Sequence, residues 1–341
     1  MVLHYKCPNC GDDMVFDSRS GKLACHSCGQ KENIEDFPNE WITAHFSDKE
    51  VQEYHCKNCG AILLTDQDTT ATVCSFCGAG VVLLDRLSGD LAPVKVIPFT
   101  ISKEEAMQAF KSWCKGGILT PKGFMNADRI KNITGMYVPF WLYDMKSKAE
   151  VNATGTKVRT YTRGDYIYTE TKYYDIYREM NLEYMKVPVD ASEKMNDELM
   201  DKLEPYDYTQ LKDFNTPYLT GYIAEKYNFT DKDLLSRIKS RIEQYVDAYI
   251  RSTILGYTSI QYKNKRIDIE QKNASYTLLP VWMVYYDYQQ SEHTFAMNGQ
   301  TGKIVGKPPI SGKKVAAWFS GIAGTTFLLL KIITWIIGGG F

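Results

Sequence analysis

Nine cysteines stand in the 341-residue chain, and eight of them form four Cys-x-x-Cys pairs confined to its first quarter: Cys7/Cys10, Cys25/Cys28, Cys56/Cys59 and Cys74/Cys77. In a reducing compartment such pairs bind metal and do not form disulfides. The first two pairs have the same internal spacing as the last two, so the pattern predicts two sites of four thiolates, each holding one Zn2+. Four protein ligands saturate tetrahedral zinc at Zn–S distances of about 2.3 Å and leave no position for water or substrate. Both ions are therefore expected to be structural. Interleaved ligation between the two units is a less economical alternative. Glycine follows every pair (Gly11, Gly29, Gly60, Gly78), as suits a knuckle whose backbone takes positive φ to aim its amides at sulfur.

Other candidate groups carry less. His26 and His55 adjoin ligand cysteines, but with four thiolates per site they read as solvated side chains. The ninth cysteine, Cys114, has no visible base to lower its pKa and reads as a packed core thiol. Residues 1–85 hold six Lys/Arg against thirteen Asp/Glu, a net charge of −7, so within an overall charge of −1 the remainder is basic. Phosphate binding needs clustered Lys/Arg. Here Asp12, Asp13, Asp17, Asp66 and Asp68 surround few cations, which argues against nucleic acid as the partner. A zinc-ribbon nucleic-acid-binding protein is kept as a rival reading.

Short hairpins must carry the knuckles. Met14-Val15-Phe16 and Leu23-Ala24 flank a Ser20-Gly21 turn, and Ile62-Leu63-Leu64 with Ala71-Thr72-Val73 are expected to do the same in the second unit. A unit of about thirty residues buries too little apolar surface to fold alone, so zinc binding, roughly 10–16 kcal/mol, must supply the stability. The predicted order is a first ribbon over 1–33, an acidic linker over 34–54 that packs through Phe37, Trp41 and Phe46, and a second ribbon over 55–86.

From Pro93 the composition shifts to an α+β domain over 93–308 with an antiparallel sheet. Ser102-Lys103-Glu104-Glu105 is a capping-box sequence opening a helix with Ala106, Phe110 and Trp113 on one side, stopped by Gly116-Gly117. Val158-Arg159-Thr160-Tyr161 and Tyr166-Ile167-Tyr168 read as strands around a turn at Arg163-Gly164-Asp165, and residues 173–177 continue the β pattern. Thr216-Pro217 reads as the cap and first turn of a helical segment. A longer helix is expected over about 231–251, with Leu234, Leu235, Ile238, Ile242, Tyr245, Val246, Tyr249 and Ile250 at helical spacing.

A second β run covers 257–305, with Asn298-Gly299 as its turn signal. Val138-Pro139-Phe140-Trp141 resembles Leu279-Pro280-Val281-Trp282, and with a two-residue insertion the likeness continues to Asp144 and Asp287; it predicts duplicated half-sheets sharing one core. The 24 tyrosines read as half-buried strand residues rather than a ligand face. No phosphate loop, dinucleotide fingerprint, nucleophile elbow or His-Glu-x-x-His motif is present, so catalysis is not expected. An enzyme with a site in the central domain is the second alternative.

Residues 315–337 are apolar except for Ser320, Thr325, Thr326, Lys331 and Thr334. At ~1.5 Å per residue they reach ~34 Å, enough for the ~30 Å hydrocarbon core. Trp318 and Trp335 stand near the ends, and Lys331 can snorkel to the far interface. Lys303, Lys307, Lys313 and Lys314 precede the segment, and no apolar signal precedes Cys7. The expectation is a single-pass tail anchor in the cell membrane, with the bulk of the chain cytoplasmic; a terminal amphipathic helix docked on the protein or lying on the membrane is the alternative.

The knuckles, Val96-Ile97-Pro98-Phe99, Gly135-Met136-Tyr137-Val138-Pro139-Phe140-Trp141, Glu204-Pro205-Tyr206-Asp207 and Phe295-Ala296-Met297-Asn298-Gly299-Gln300-Thr301-Gly302 together resemble a family of bacterial two-zinc-ribbon, tail-anchored membrane proteins. Its members are often labelled TFIIB-type zinc-ribbon or primosomal replication proteins, and the resemblance covers nearly the whole chain. No helicase motif supports the second label. The resemblance brings no catalytic residues and carries over only the eight cysteines. It implies a membrane anchor acting with phage-shock protein A and an SPFH (flotillin-like) partner in envelope stress. The expected function is thus a membrane-tethered cytosolic scaffold that recruits protein partners.

Overall fold

Period-two alternation and abundant aromatic and β-branched residues put most of the chain into strands. The computed structural model describes residues 2–3, 5–37, 53–65, 68–74, 77–83, 93–121, 124, 133–288 and 291–337. Trp41, Phe46 and most of the acidic linker lie outside these residues, as do Asp66 and residues 338–341. The N-terminal part contains β1 (Val2–Leu3), β2 (Met14–Asp17), β3 (Lys22–Cys25), β4 (Lys31–Glu32), β5 (Glu53–His55), β6 (Ile62–Leu64), β7 (Thr69–Val73) and β8 (Gly80–Leu83). There follow β9 (Lys95–Val96), α1 (Lys103–Gly116), β10 (Ile133–Arg163), β11 (Tyr166–Asp190), α2 (Asp197–Asp201), β12 (Lys212–Asp213), β13 (Ile223–Glu225), α3 (Leu235–Thr253), β14 (Ser259–Tyr288), β15 (Ser291–Asn298), β16 (Ile304–Gly306) and α4 (Gly312–Ile337).

In the first ribbon β2 and β3 form the expected hairpin, Met14 opposite Cys25, widened by β4. The second ribbon departs from expectation. There β6 folds back on β5, Tyr54 opposite Leu63, and not on β7. Instead β7 pairs with β8 on one side, Ala71 opposite Val82, and with β13 on the other, Ala224 opposite Ala71. Thr70 and Ala71 are fully buried. A place inside a large sheet satisfies both backbone edges of β7, which a two-stranded ribbon cannot do. The start of the chain crosses over as well, β1 pairing with β8 (Val2 opposite Leu83). The first ribbon is docked on the centre: Tyr5, Phe16, Leu23 and Ile34 share one buried cluster with Phe99 and Tyr218. The Phe16 N–H donates to the Thr220 carbonyl at 3.2 Å, and the Tyr5 hydroxyl hydrogen-bonds Thr216 Oγ1.

The two Pro-x-Trp segments meet at the middle of the sheet, where β10 and β14 run antiparallel with Val138 opposite Leu279. Residue 138 plays in β10 the part that 279 plays in β14, so a local twofold relates two β-α-β-β units, β9-α1-β10-β11 and β13-α3-β14-β15. Their leading strands are exchanged: β9 lies parallel to β14 (Val96 opposite Leu278) and β13 parallel to β10 (Tyr137 opposite Ala224). The long pairings of the sheet are antiparallel, as expected, and these two short parallel pairs join them; strand direction depends on where long connections return, which side-chain alternation does not encode.

Two indoles tie the exchange down. Trp141 Nε1 donates to the Phe229 carbonyl at 2.9 Å, and Trp282 Nε1 donates to the Ile101 carbonyl at 3.1 Å. Ile101 immediately precedes Ser102, the N-cap of α1, and Phe229 immediately precedes Thr230, which closes the turn leading into α3. Ser102 accepts the Glu105 N–H at 3.3 Å and donates its own N–H to the Glu105 carboxylate at 2.8 Å, as the capping box predicts. Thr230 exchanges the same pair with Asp233, at 3.3 and 2.9 Å. That box closes a turn over residues 231–234, so α3 begins at Leu235 and not near 231. Thr216-Pro217 opens a 3-10 turn, Thr216–Leu219, after Asn215, where a longer helical segment was expected. The five-residue α2, capped by Asn196, is too short to leave a periodic signal.

Helix α3 buries Ile238, Ile242, Val246 and Ile250 against Ala149 and Val151 of β10, while Tyr245 and Tyr249, expected on the same face, are exposed. On its flank Arg237 reaches Asp190 at 2.9 Å and Asp201 at 3.0 Å, and Arg241 reaches Glu204 at 2.7 Å. Burial pushes the Asp190 carboxyl up to about 6 against the pull of the Arg237 guanidinium.

Past Met145, β10 and β11 run on together to the turn at Gly164 (φ 63°), about 60 Å at ~3.3 Å per residue. Strand β14 flanks them as far as Ser259, opposite Thr156, and the hairpin beyond that point forms an arm. Here the tyrosine reading needs correction. Tyr166, Ile167 and Tyr173 are 71%, 75% and 73% exposed, whereas Tyr137, Tyr143 and Tyr276 lie in the core. Tyr161 and Tyr168 stack on the arm with centroids 5.5 Å apart.

At the other end of β14 the chain passes through β15 and β16 to α4. Before the helix, the Ser311 N–H donates to the Leu119 carbonyl at 2.8 Å. The stretch Gly312–Trp335, 24 residues of mean hydropathy 1.6 with none of it buried, is long and apolar enough to cross a membrane. It starts three residues before the expected 315.

Candidate metal centres

All four Cys-x-x-Cys pairs fold into the same turn. The Cys7 N–H donates to the Asp12 carbonyl at 2.7 Å and the Gly11 N–H returns to the Cys7 carbonyl at 2.8 Å; Cys25, Cys56 and Cys74 repeat the two bonds with distances of 2.7–3.0 Å. The four glycines have φ between 74° and 77°, and a Cβ at any of them would meet no other atom within 4 Å. Backbone conformation, not crowding, therefore calls for glycine here.

These turns bring together Cys7, Cys10, Cys25 and Cys28 in one group and Cys56, Cys59, Cys74 and Cys77 in another, the sulfurs of each group lying within 4.8 Å of one another. The grouping follows sequence order and is not interleaved. Cys7–Cys28 and Cys10–Cys25 sulfurs are 3.5 Å apart, Cys56–Cys77 3.7 Å and Cys59–Cys74 3.8 Å. A tetrahedron with 2.3 Å Zn–S bonds has edges of about 3.8 Å. Donor type, number and spacing thus fit one structural zinc ion per group. In every pair the first cysteine is buried and the second exposed.

The surroundings favour thiolate at one exposed cysteine of each group and oppose it at the other. Cys28 is held down to about 6, first by the Gln30 backbone amide and then by the Asn9 side chain. Cys77 is lowered to about 6 by the Ala79 amide and, against desolvation, by Asn58, whose Nδ2 donates to its sulfur at 3.6 Å. The backbone amides of Asp12 and Ala61 pull Cys10 and Cys59 down, yet neighbouring thiols and desolvation outweigh them and carry both to about 12. A divalent ion removes the protons that such a cluster otherwise keeps.

Asn9 and Asn58 escaped the sequence reading, although Cys7-Pro8-Asn9-Cys10 and Cys56-Lys57-Asn58-Cys59 place asparagine at the same knuckle position. His26 and His55 are exposed and belong to neither group. Cys114 is buried, which pushes its thiol up to about 11. Lys6 pairs with Asp13 and Lys31 with Asp17, both at 2.7 Å, so these cations are already engaged by the acidic surface around the first site.

Two coordination-saturated cysteine centres, a sheet-rich central region and one candidate membrane span define a multidomain zinc-ribbon protein. A family described as TFIIB zinc-binding matches residues 5–46, the first ribbon and part of the linker after it. The chain is 65% identical over 341 residues, 100% of both proteins, to the uncharacterized protein YdjG of Bacillus subtilis (strain 168), and it belongs to that protein's family. No solved structure matches it.

Proposed function

We propose that this protein is a membrane-tethered scaffold whose zinc-stapled body and protruding arm gather protein partners at the cytoplasmic face of the cell membrane. The observation that carries the reading is the placement of arm and anchor at opposite ends of one strand. The arm extends past Ser259 at the start of β14, while the opposite end of that strand leads to α4. An anchored molecule of this shape holds an exposed aromatic ribbon tens of ångströms from the bilayer, and tyrosine, amphipathic and with few rotatable bonds, suits protein contacts. Closed zinc centres offer no position for substrate, so the role requires no catalysis. Phage-shock protein A and an SPFH-type protein are the partners the family resemblance suggests, in envelope stress.

The test is affinity purification of the full chain from detergent-solubilised native membranes, alongside a version with residues 158–171 replaced by a tight turn. Partners that co-purify with the parent and are lost from the trimmed arm, with two zinc ions retained in both, are the expected result. No reproducible protein partner, or a partner set indifferent to the arm, overturns the reading.

A further inference from the structure

A cavity of about 410 Å³ opens at the end of the sheet nearest α4. Lys194, Lys202 and Lys307 line it, together with Met195, Leu199 and Met283. Glu198, also in the lining, contacts Lys202 at 2.5 Å and Lys307 at 3.3 Å, while Lys194 has Asp68 and Glu225 at 3.7 and 3.5 Å. Lys194 is thus balanced by carboxylates just outside the lining, whereas Lys202 and Lys307, both more than half exposed, share the single carboxylate of Glu198 and leave that side of the cavity cationic. Exposed pairs of this kind hold their partners weakly, so an arriving anion can displace them.

We propose that this cavity takes the phosphate headgroup of an anionic phospholipid from the leaflet that α4 enters. The proposal rests on reading α4 as a membrane span. Lys307 stands five residues before Gly312, so the chain holds it within ~18 Å of the first residue of the span. The 24-residue span is ~36 Å long and places its ends in the headgroup layers that border the ~30 Å core. From Lys303 onward the sequence carries five lysines and no carboxylate, the charge bias that draws a juxtamembrane segment to anionic lipid. The thioether and isobutyl groups of Met195, Met283 and Leu199 supply the second half of the argument. A cationic rim over an apolar lining matches an amphiphile, with phosphate at the rim and glycerol and upper acyl carbons inside, better than an inorganic anion or a nucleic acid backbone.

The experiment reconstitutes the full chain in nanodiscs of equal phosphatidylcholine and phosphatidylglycerol and weighs the released protein with its retained lipid by native mass spectrometry. The parent is expected to keep phosphatidylglycerol over phosphatidylcholine. Lys194→Gln/Lys202→Gln/Lys307→Gln together are expected to cut that preference about tenfold or more, and Lys313→Gln/Lys314→Gln, outside the cavity, to cut it far less. Zinc content and circular dichroism confirm that the variants are folded. Equal retention of the two lipids by the parent, or a triple variant that keeps the preference, overturns the proposal. So does release of phosphatidylglycerol by millimolar inorganic phosphate, which marks a site for free phosphate. A chain that does not enter nanodiscs refutes the span. The headgroup site then stands if the chain cosediments with phosphatidylglycerol vesicles through the three lysines, and falls if it does not.

Discussion

Side-chain amides beside the sulfurs are as much a part of the metal centres as the cysteines. Asn58 donates to Cys77 and Asn9 to Cys28, and such outer partners typically matter 10–100-fold in metal affinity. Asn58→Ala is therefore expected to weaken zinc at the second centre by about that factor and leave the first unchanged; Asn9→Ala does the reverse. Competition with a chromophoric chelator reads both, and an asparagine variant with parental affinity removes the role. A different residue-level effect belongs to Asp190, raised to about 6 by burial. Its folded pKa lies above the unfolded value of about 3.9, so the folded state holds a proton that the unfolded chain releases. That contribution is complete below about pH 4 and is lost as pH rises through about 6. Asp190→Asn, neutral throughout, should gain on the parent by up to roughly 3 kcal/mol between pH 4 and 7. Urea midpoints of both proteins across this range measure it, and a pH-independent difference contradicts it.

Capped helices and paired indoles decide how the elements lock together. Trp141 and Trp282 each reach the loop that leads into the other unit's helix, so Trp141→Phe or Trp282→Phe leaves a carbonyl without its donor. A cost of about 1 kcal/mol is expected from Trp141→Phe, whose bond is exposed, and about 1–3 kcal/mol from Trp282→Phe, whose bond is part-buried, visible as a lower denaturant midpoint; a variant as stable as the parent rules the indole bond out as a fastener. The Ser102 box was readable because it opens its helix directly. The Thr230–Asp233 box was not, because it closes a separate turn, so the helix expected from about 231 begins only at Leu235. The long strands β10, β11 and β14 were readable, whereas the short β9 and β13 and the partners of β7 were not, because two or three residues leave no alternation and an alternating strand fits any edge of matching polarity.

Zinc holds more than the ribbons. Phe16 packs edge-on against Tyr218 at 5.4 Å, and β7 and β8 continue the central sheet, so an unfolded ribbon uncovers the core beneath it. Adding a strong chelator to the full chain is expected to lower the melting temperature of the main cooperative transition. It should also release amide protons in residues 216–225 along with those of both ribbons. Hydrogen exchange confined to residues 5–37 and 53–83 would show instead that the ribbons unfold alone.

Eight cysteines, their spacing and their glycines specified two closed zinc centres, because a knuckle is a local structure whose ligands and turn residues lie within five positions of one another. The same locality made the Ser102 cap, the Gly164 hairpin and the apolar terminal helix readable. Only the tertiary structure decided that the second ribbon is built into the central sheet, that the leading strands of the two units are exchanged, and that the arm tyrosines are exposed while others fill the core. Each of these depends on which distant segment lies alongside. Periodicity records how a residue faces within its own strand, and carries no term for the neighbour that covers it.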